Sequence, residues 1–367
     1  MEKQIVVSGI NIRTGGTLTV YKSFLRDFLA SEYAKQCHLI AMVSDRKLFE
    51  EFDDQIEFIC FPKEKTNRLY RFYIEYFYFK KFSKNRRIDL WISINDKTPY
   101  VFAETQAVYC HNPTMFYKCT LKDILLSPAL FVYSIFYKYI YKCNIKNNKY
   151  VVVQQNWIAK EFEEKICSQN QLIVFPPERA RAQGVVPEKK DSDFTRFIFP
   201  AIPKTFKNYE VIFEAVKKIH VGSTYEIILT IDGTENRYTR YLKKKYEDVE
   251  NVHWVGCLSS SEIMEYYKSS DCLIFPSKLE TWGLPLSEAI SYNLAILCSD
   301  LPYAHENVRD YEKVFFFKPD DVDGLAKAME RYMNNHLVWN NVYENSASCF
   351  PEVKSWGELI ELCVKEA

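Results

Sequence analysis

This 367-residue chain has no apolar run long enough to cross a bilayer as a helix. The longest run, Ile124–Tyr137, is interrupted by Ser127 and Pro128. It falls short of the roughly 20 residues a helical span needs. The first residues, MEKQIVVSGI, are polar and lead directly into a strand pattern, so no signal-peptide apolar segment is expected. Eleven cysteines are scattered without a CxxC pair, and no histidine cluster has metal-ligand spacing. Such usage argues against a disulfide framework or a zinc site and for reduced thiols in a cytoplasm. No GxGxxG follows any strand pattern, which excludes a Rossmann dehydrogenase. Repeats and low-complexity tracts are absent as well. Net charge is zero, yet residues 61–150 carry 16 Lys/Arg against 6 Asp/Glu, and the rest of the chain balances them. That asymmetry points the first half toward an anionic partner.

What is present is enough apolar content, 47%, for two cores, and the length suits two ordinary domains. Aromatic residues interleave with the positive charge in LYRFYIEYFYFKKFSKNRR (69–87) and LFVYSIFYKYIYK (130–142). Two readings stand for these stretches. They are helices on a membrane surface, or core helices whose lysines and arginines extend outward.

The most informative stretch is Phe275–Ser299, FPSKLETWGLPLSEAISYNLAILCS. The strand Cys272–Phe275 feeds a loop with Glu280, Thr281, Trp282 and Gly283. Pro285 opens a helix expected to run to about Asn293, with Glu288 in its first turn, before a strand at 295–298. The unpaired N–H groups of Leu284–Ser287 and the helix dipole make an anion site. Two carboxylates beside it suit ligand hydroxyls, so a sugar nucleotide fits: hydroxyls at each end and a diphosphate between. On spacing alone, Glu288 equally complements the helix dipole and Glu280 is equally a solvated loop residue.

The motif PSxxExWGLPxxEA, with Glu280 and Glu288 in E-x7-E spacing, resembles the signature of GT-B retaining glycosyltransferases of the GT4 type (glycosyl transferases group 1). The resemblance implies an α/β fold with two Rossmann-like parallel-sheet domains facing across a cleft. It implies an acceptor-binding domain over 1–180 and a nucleotide-sugar-binding domain over 194–345. Residues 346–367 would form a C-terminal helix crossing back to the first domain. Glu280 would contact the donor sugar and Glu288 the ribose. Thr281, Trp282, Gly283 and Leu284 would border the donor.

Other positions follow in chain order. Gly15-Gly16, after the first strand (5–8) and before a helix from about Leu18, look like the glycine loop near donor phosphate and acceptor. Strands are expected at 38–43, 56–60, 90–94, 106–109, 150–157 and 172–175. His111, in YCHNP after the strand 106–109, resembles the family's cleft histidine, which orients a sugar hydroxyl and stabilises charge. The polar segment 179–193 reads as a linker, and its Asp191-Ser192-Asp193 as a chance match to a metal motif. After the strand 196–200, Lys207 matches the family lysine that binds the diphosphate. Lys204 stands in for the family arginine, at a different spacing. Gly256 and Leu258 follow the strand 252–255, at the turn that meets the nucleotide base by resemblance. A loop at Leu301–Glu306, a helix at 320–333 capped by Asp320, and a final helix at 353–366 complete the reading.

The resemblance implies transfer of a hexose or deoxyhexose from a nucleotide-diphosphate sugar to a glycan or lipid-linked acceptor, with retention. Bacterial surface polysaccharide synthesis is the setting it suggests. Glu280, His111 and Lys207 are the expected catalytic residues. No cofactor, metal or nucleic acid is expected. The expected location is cytoplasmic, with peripheral contact at the inner face of the plasma membrane left open. Two alternatives remain at this level. A non-catalytic sugar-nucleotide-binding subunit would show no turnover alone. A nucleotide-sugar 2-epimerase of the same fold would act without an acceptor.

Overall fold

The computed structural model describes residues 3–52, 55–62, 68–177, 194–220, 224–343 and 348–365. The chain divides into two compact units. One comprises Met1–Met115, Ile135–Pro177 and Ala347–Ala367; the other comprises Phe116–Ser134 and Glu178–Ser346.

The first unit is built on a parallel sheet of β1 (Lys3–Ser8), β2 (Cys37–Val43), β3 (Ile56–Cys60), β4 (Leu90–Ser93), β5 (Thr105–Cys110), β6 (Tyr150–Val153) and β7 (Leu172–Val174). The strand order is β3-β2-β1-β4-β5-β6-β7. These strands read as continuous apolar runs because both faces are covered. With a period of two, Ile5 and Val7 enter one core and Val6 the opposite one; Leu39 and Ala41 likewise separate from Ile40 and Met42. The helix Trp356–Lys365 covers the first of these cores with Trp356, Leu359, Ile360 and Cys363. Trp356 meets Phe24 edge-on at 5.2 Å and Phe175 at 4.8 Å. The chain reaches that helix by pairing beside β7, where Val174 N–H donates to Pro351 O at 2.8 Å and Val353 N–H to Val174 O at 3.0 Å. The C-terminal helix therefore belongs to the unit formed by the first half of the chain.

The second unit holds β8 (Thr195–Phe199), β9 (Tyr225–Leu229), β10 (Val252–Trp254), β11 (Cys272–Phe275), β12 (Ala295–Ser299) and β13 (Val314–Phe317), all parallel, in the order β10-β9-β8-β11-β12-β13. Both sheets reverse strand order beside their first strand, between β1 and β4 and between β8 and β11. Ligands of open α/β sheets bind outside the carboxyl ends of the strands at such switch points. Residues 116–134 group with this unit rather than with the flanking first-unit sequence. Tyr117 lies edge-on to Phe206 at 5.9 Å, and Lys122 pairs with Glu210.

Several local expectations are corrected. The strand at 150–157 stops at Val153, because Asn156 already begins the helix Asn156–Lys165. The helix expected from Leu18 starts at Gly15. Leu301–Glu306 is not a loop, since Pro302 pre-sets the first turn of a helix, Pro302–Val308. Asp321, not Asp320, caps the helix Val322–Met333, accepting from Gly324 N–H at 2.8 Å. The linker segment and Asp191-Ser192-Asp193 lie outside the described residues. The basic–aromatic stretches divide between buried and exposed positions. Ile74, Phe79, Tyr137 and Tyr141 are buried, whereas Phe72, Tyr73, Phe77, Phe136 and Tyr139 are exposed.

Candidate active site

At the switch point of the second unit, two turns meet. β8 runs into a short turn of 3-10 helix, Thr205–Lys207, and β11 into the loop before the helix Leu284–Ser291. Lys278 N–H donates to Phe206 O at 2.7 Å and stitches one to the other. Asn208, in the left-handed region at φ 59°, donates its amide to Pro276 O at 3.3 Å and Pro319 O at 2.7 Å. This frame brings Lys207 and Glu280 into a direct ion pair. Their side chains are only 9% and 13% exposed, and the Lys207 ammonium also lies 5.6 Å from the Phe275 ring centroid. Breaking so buried a pair by removing one partner costs on the order of 3–5 kcal/mol, because the other charge is stranded.

The Glu280 loop is fixed from behind. Trp282 is buried, and its indole N–H donates to Ser287 Oγ at 2.9 Å. Only its backbone remains for a ligand. Ser287 Oγ donates to Asn307 Oδ1 at 3.0 Å, and Asn307 Nδ2 donates back to Trp282 O at 2.7 Å. Gly283 has φ 80°, which L-residues avoid, and a Cβ there would sit 3.3 Å from both Leu286 Cδ1 and Phe275 Cε1. Pro285 carries no N–H, and the Leu286 N–H is donated to Gly283 O at 2.9 Å. The helix start therefore offers fewer donors than its four residues suggest. Leu284 and Thr281 are half-buried beside it.

Glu288 lies in the second turn of that helix, not the first, because the helix begins at Leu284. Tyr267 Oη donates to Glu288 Oε2 at 2.7 Å, and the Tyr267 ring stacks on Tyr292 at 5.5 Å. Burial pushes the Glu288 carboxyl above its ordinary range, and the tyrosine hydrogen bond only partly opposes this. A partly desolvated acceptor held by one hydroxyl suits a vicinal diol.

Within the second unit, Lys204 follows the carboxyl end of β8, and Gly256 and Leu258 follow that of β10. Lys204 is exposed and serves the turn through its carbonyl, which accepts the Lys207 N–H at 2.9 Å. Its side chain is not brought to Glu280 as Lys207 is. Gly256 has φ 78° and faces Asp232, whose Cβ would be 3.7 Å from an added Cβ. Leu258 is half-buried two residues on.

In the first unit, β1 leads to Gly15 and Gly16, the first residues of the helix Gly15–Ala30. That helix has no side-chain cap and no acidic residue in its first turn, so its own first turn supplies nothing to offset its positive end. His111 follows β5, 15% exposed, with Nε2 3.4 Å from Asp96 Oδ2. Asp96 follows β4 at φ 68°. Its carboxylate accepts from His111 N at 2.6 Å, Asn112 N at 3.1 Å, and the hydroxyls of Tyr137 and Tyr141 at 3.0 Å each. Behind it, buried Glu75 accepts from Arg71 at 2.8 Å, Asn95 at 3.0 Å and Lys97 at 3.3 Å. Burial lowers the Lys97 ammonium below its usual range, with Glu75 opposing.

Sequence reasoning missed Asp96, Tyr267 and Asn307. Each acts on a residue 15 to 25 positions away that has no periodic relation to it. Only the position of Asp96, one residue beyond Asn95 at the end of an apolar strand, gave a local signal.

The doubly wound sheets, with their charged residues at the switch points, define a GT-B fold. A lipopolysaccharide outer core galactosyltransferase, WaaB, superposes with TM-score 0.65 at 15% identity, covering 99% of this chain and 95% of that one. Anabaena HepE, solved with UDP-glucose, superposes with TM-score 0.60 at 13% identity, covering 90% and 89%. Residues 185–348 match the family described as glycosyl transferases group 1. By sequence, the O-antigen chain mannosyltransferase RfbU of Salmonella typhimurium is 20% identical over 225 residues, 58% of this chain. The chain spans 61% of the length of that relative.

Proposed function

We propose that this protein transfers a hexose or deoxyhexose from a nucleotide-diphosphate sugar to a hydroxyl of a glycan or lipid-linked glycan, with retention, in bacterial surface polysaccharide synthesis. The observation that carries this reading is the Lys207–Glu280 pair, held at the β8/β11 switch point with Glu288 on the adjoining helix. The named activities of RfbU, WaaB and the HepE complex support it by likeness.

In the free protein Lys207 neutralises Glu280. A donor diphosphate competes for the lysine, and Glu280 turns to the hydroxyls of the sugar. Glu288 accepts from the ribose. As the bond from the anomeric carbon to the phosphate oxygen breaks, Lys207 and the backbone donors around Gly283 stabilise the departing charge without reorganising. Lys204 adds positive charge at the rim. The acceptor oxygen bonds to the same face of the anomeric carbon, and its proton passes to the departing phosphate oxygen. His111, oriented by Asp96, directs a hydroxyl and offsets charge. Lysines and a helix terminus supply the charge a metal would otherwise bring, so activity is expected in the presence of a chelator.

The test is a thermal-shift screen of the purified protein against UDP-, GDP-, ADP-, CMP- and dTDP-sugars, followed by turnover with the stabilising donor. One nucleotide class is expected to raise Tm, because ligand binding to the native state stabilises it. Failure of every donor to shift Tm or to be consumed in the presence of glycan acceptors would refute the reading.

A further inference from the structure

We propose that the first unit docks on an anionic lipid surface through an aromatic face made by two helical segments. This inference goes beyond sugar transfer and does not depend on it. The first segment runs from Arg68 to Lys84 and contains one turn of π-helix, Ile74–Tyr78. The wider turn shifts the helix face within that turn. Ile74 and Glu75 point into the protein, whereas Phe72, Tyr73 and Phe77 are 53%, 53% and 57% exposed. Their rings organise among themselves: Tyr73 stacks on Phe77 at 6.0 Å, and Phe72 on Tyr76 at 4.7 Å. The second segment is the helix Pro128–Lys142. From Ile135 onward it buries Tyr137 and Tyr141 and exposes Ile135, Phe136 and Tyr139. Tyr76 Oη donates to Cys143 Sγ at 3.3 Å and joins the two segments.

A second copy of the chain or an apolar protein would suit the rings alone. The charge distribution favours a lipid surface. Over residues 69–115 and 135–149, eight lysines and arginines are exposed, and the only exposed carboxylate is Glu104, paired with Arg87 at 3.0 Å. Lys80, Lys81 and Lys84 continue the first segment, and Lys138 and Lys142 alternate with the exposed rings of the second. Lys138 lies 5.0 Å from the Tyr139 ring centroid. Tyrosine and phenylalanine bodies with lysine at their margins match the headgroup boundary of a bilayer, where rings enter and ammonium groups stay with phosphates. No helix among the described residues is long and apolar enough to cross the membrane, so this is attachment from one side.

The experiment is co-sedimentation of the full chain with phosphatidylcholine vesicles, with and without about 30% phosphatidylglycerol. Binding is expected to be at least tenfold stronger with the anionic lipid and to fall with added salt. The double variants Phe136→Ser/Tyr139→Ser and Lys80→Glu/Lys81→Glu should each lose most of it while keeping the wild-type Tm. Equal binding to neutral vesicles, no binding, or binding lost only in the lysine variant would overturn the proposal. The last result would mean adsorption by charge without the rings. Sedimentation velocity without vesicles adds a further check. A dimer abolished by Phe136→Ser/Tyr139→Ser would assign the face to self-association instead.

Discussion

Two glutamates of one motif sit in opposite electrostatic conditions, and that difference sets their separate behaviour. Glu280 is neutralised by Lys207, so removing its charge strands a buried ammonium. Glu280→Gln is therefore expected to lower the Tm of the free protein. It should also enlarge the Tm rise produced by the nucleoside diphosphate alone, which then meets an unpaired Lys207. Transfer should fall at least roughly tenfold, about 1.4 kcal/mol of lost transition-state stabilisation. An unchanged diphosphate-induced shift would remove Lys207 from the diphosphate site. Among the described residues no cation pairs with Glu288, and burial penalises its carboxylate. Its folded pKa is raised, so its contribution to stability is full below the ordinary glutamate range and is lost as pH rises through the raised value. Glu288→Gln keeps an acceptor for Tyr267 but cannot ionise. The Tm of this variant should gain on wild type between about pH 4 and pH 7, while donor affinity falls. A Tm difference flat across that range would show that burial does not strain the carboxylate.

At the scale of elements, the site depends on turns whose backbones are fixed by distant groups. Gly283 ends the Glu280 loop in a left-handed conformation, and Asn307, from the helix Pro302–Val308, holds the carbonyls on either side of the turn. Gly283→Ala should cost about 1–2 kcal/mol for the backbone conformation. Because the turn also positions Glu280, the donor KM should rise severalfold more than kcat falls. Urea unfolding and donor titration check the two effects separately, and a stability loss with unchanged donor affinity would separate the turn from the site. This also marks what was legible. The apolar strands, the Pro285 helix start and the E-x7-E spacing are local signals, and they placed Glu280 and Glu288 on the right elements. The cap at Asp321 and the helix at Pro302–Val308 rest on local signals that lay beside the expected ones, whereas the π turn at Ile74–Tyr78 breaks the helical period and has no signature in the apolar pattern. The partners of the site residues were not legible. Glu280 finds Lys207 from 73 positions away, and no periodicity encodes that pairing.

At the scale of the molecule, the chain's last helix completes the core begun by its first strand. Trp356 is 2% exposed and touches Phe24, Tyr109 and Phe175, which come from three separate parts of the first unit. Its backbone N–H is held by Asp27 Oδ2 at 3.2 Å. Replacing it by alanine empties a large volume among rigid rings and should cost about 3–5 kcal/mol, the usual range for a buried tryptophan. The loss belongs to one unit. Calorimetry of Trp356→Ala is expected to show the transition of the first unit moving down by several degrees or more. The transition of the second unit, which carries Lys207, Glu280 and Glu288, should stay in place and still rise with the nucleoside diphosphate. Hydrogen exchange should agree, with protection falling in β1, β2 and β5 and holding in β8 and β11. If both transitions fell together, the two sheets would unfold as one cooperative body, and the C-terminal helix would stabilise the donor site as well as the unit it covers.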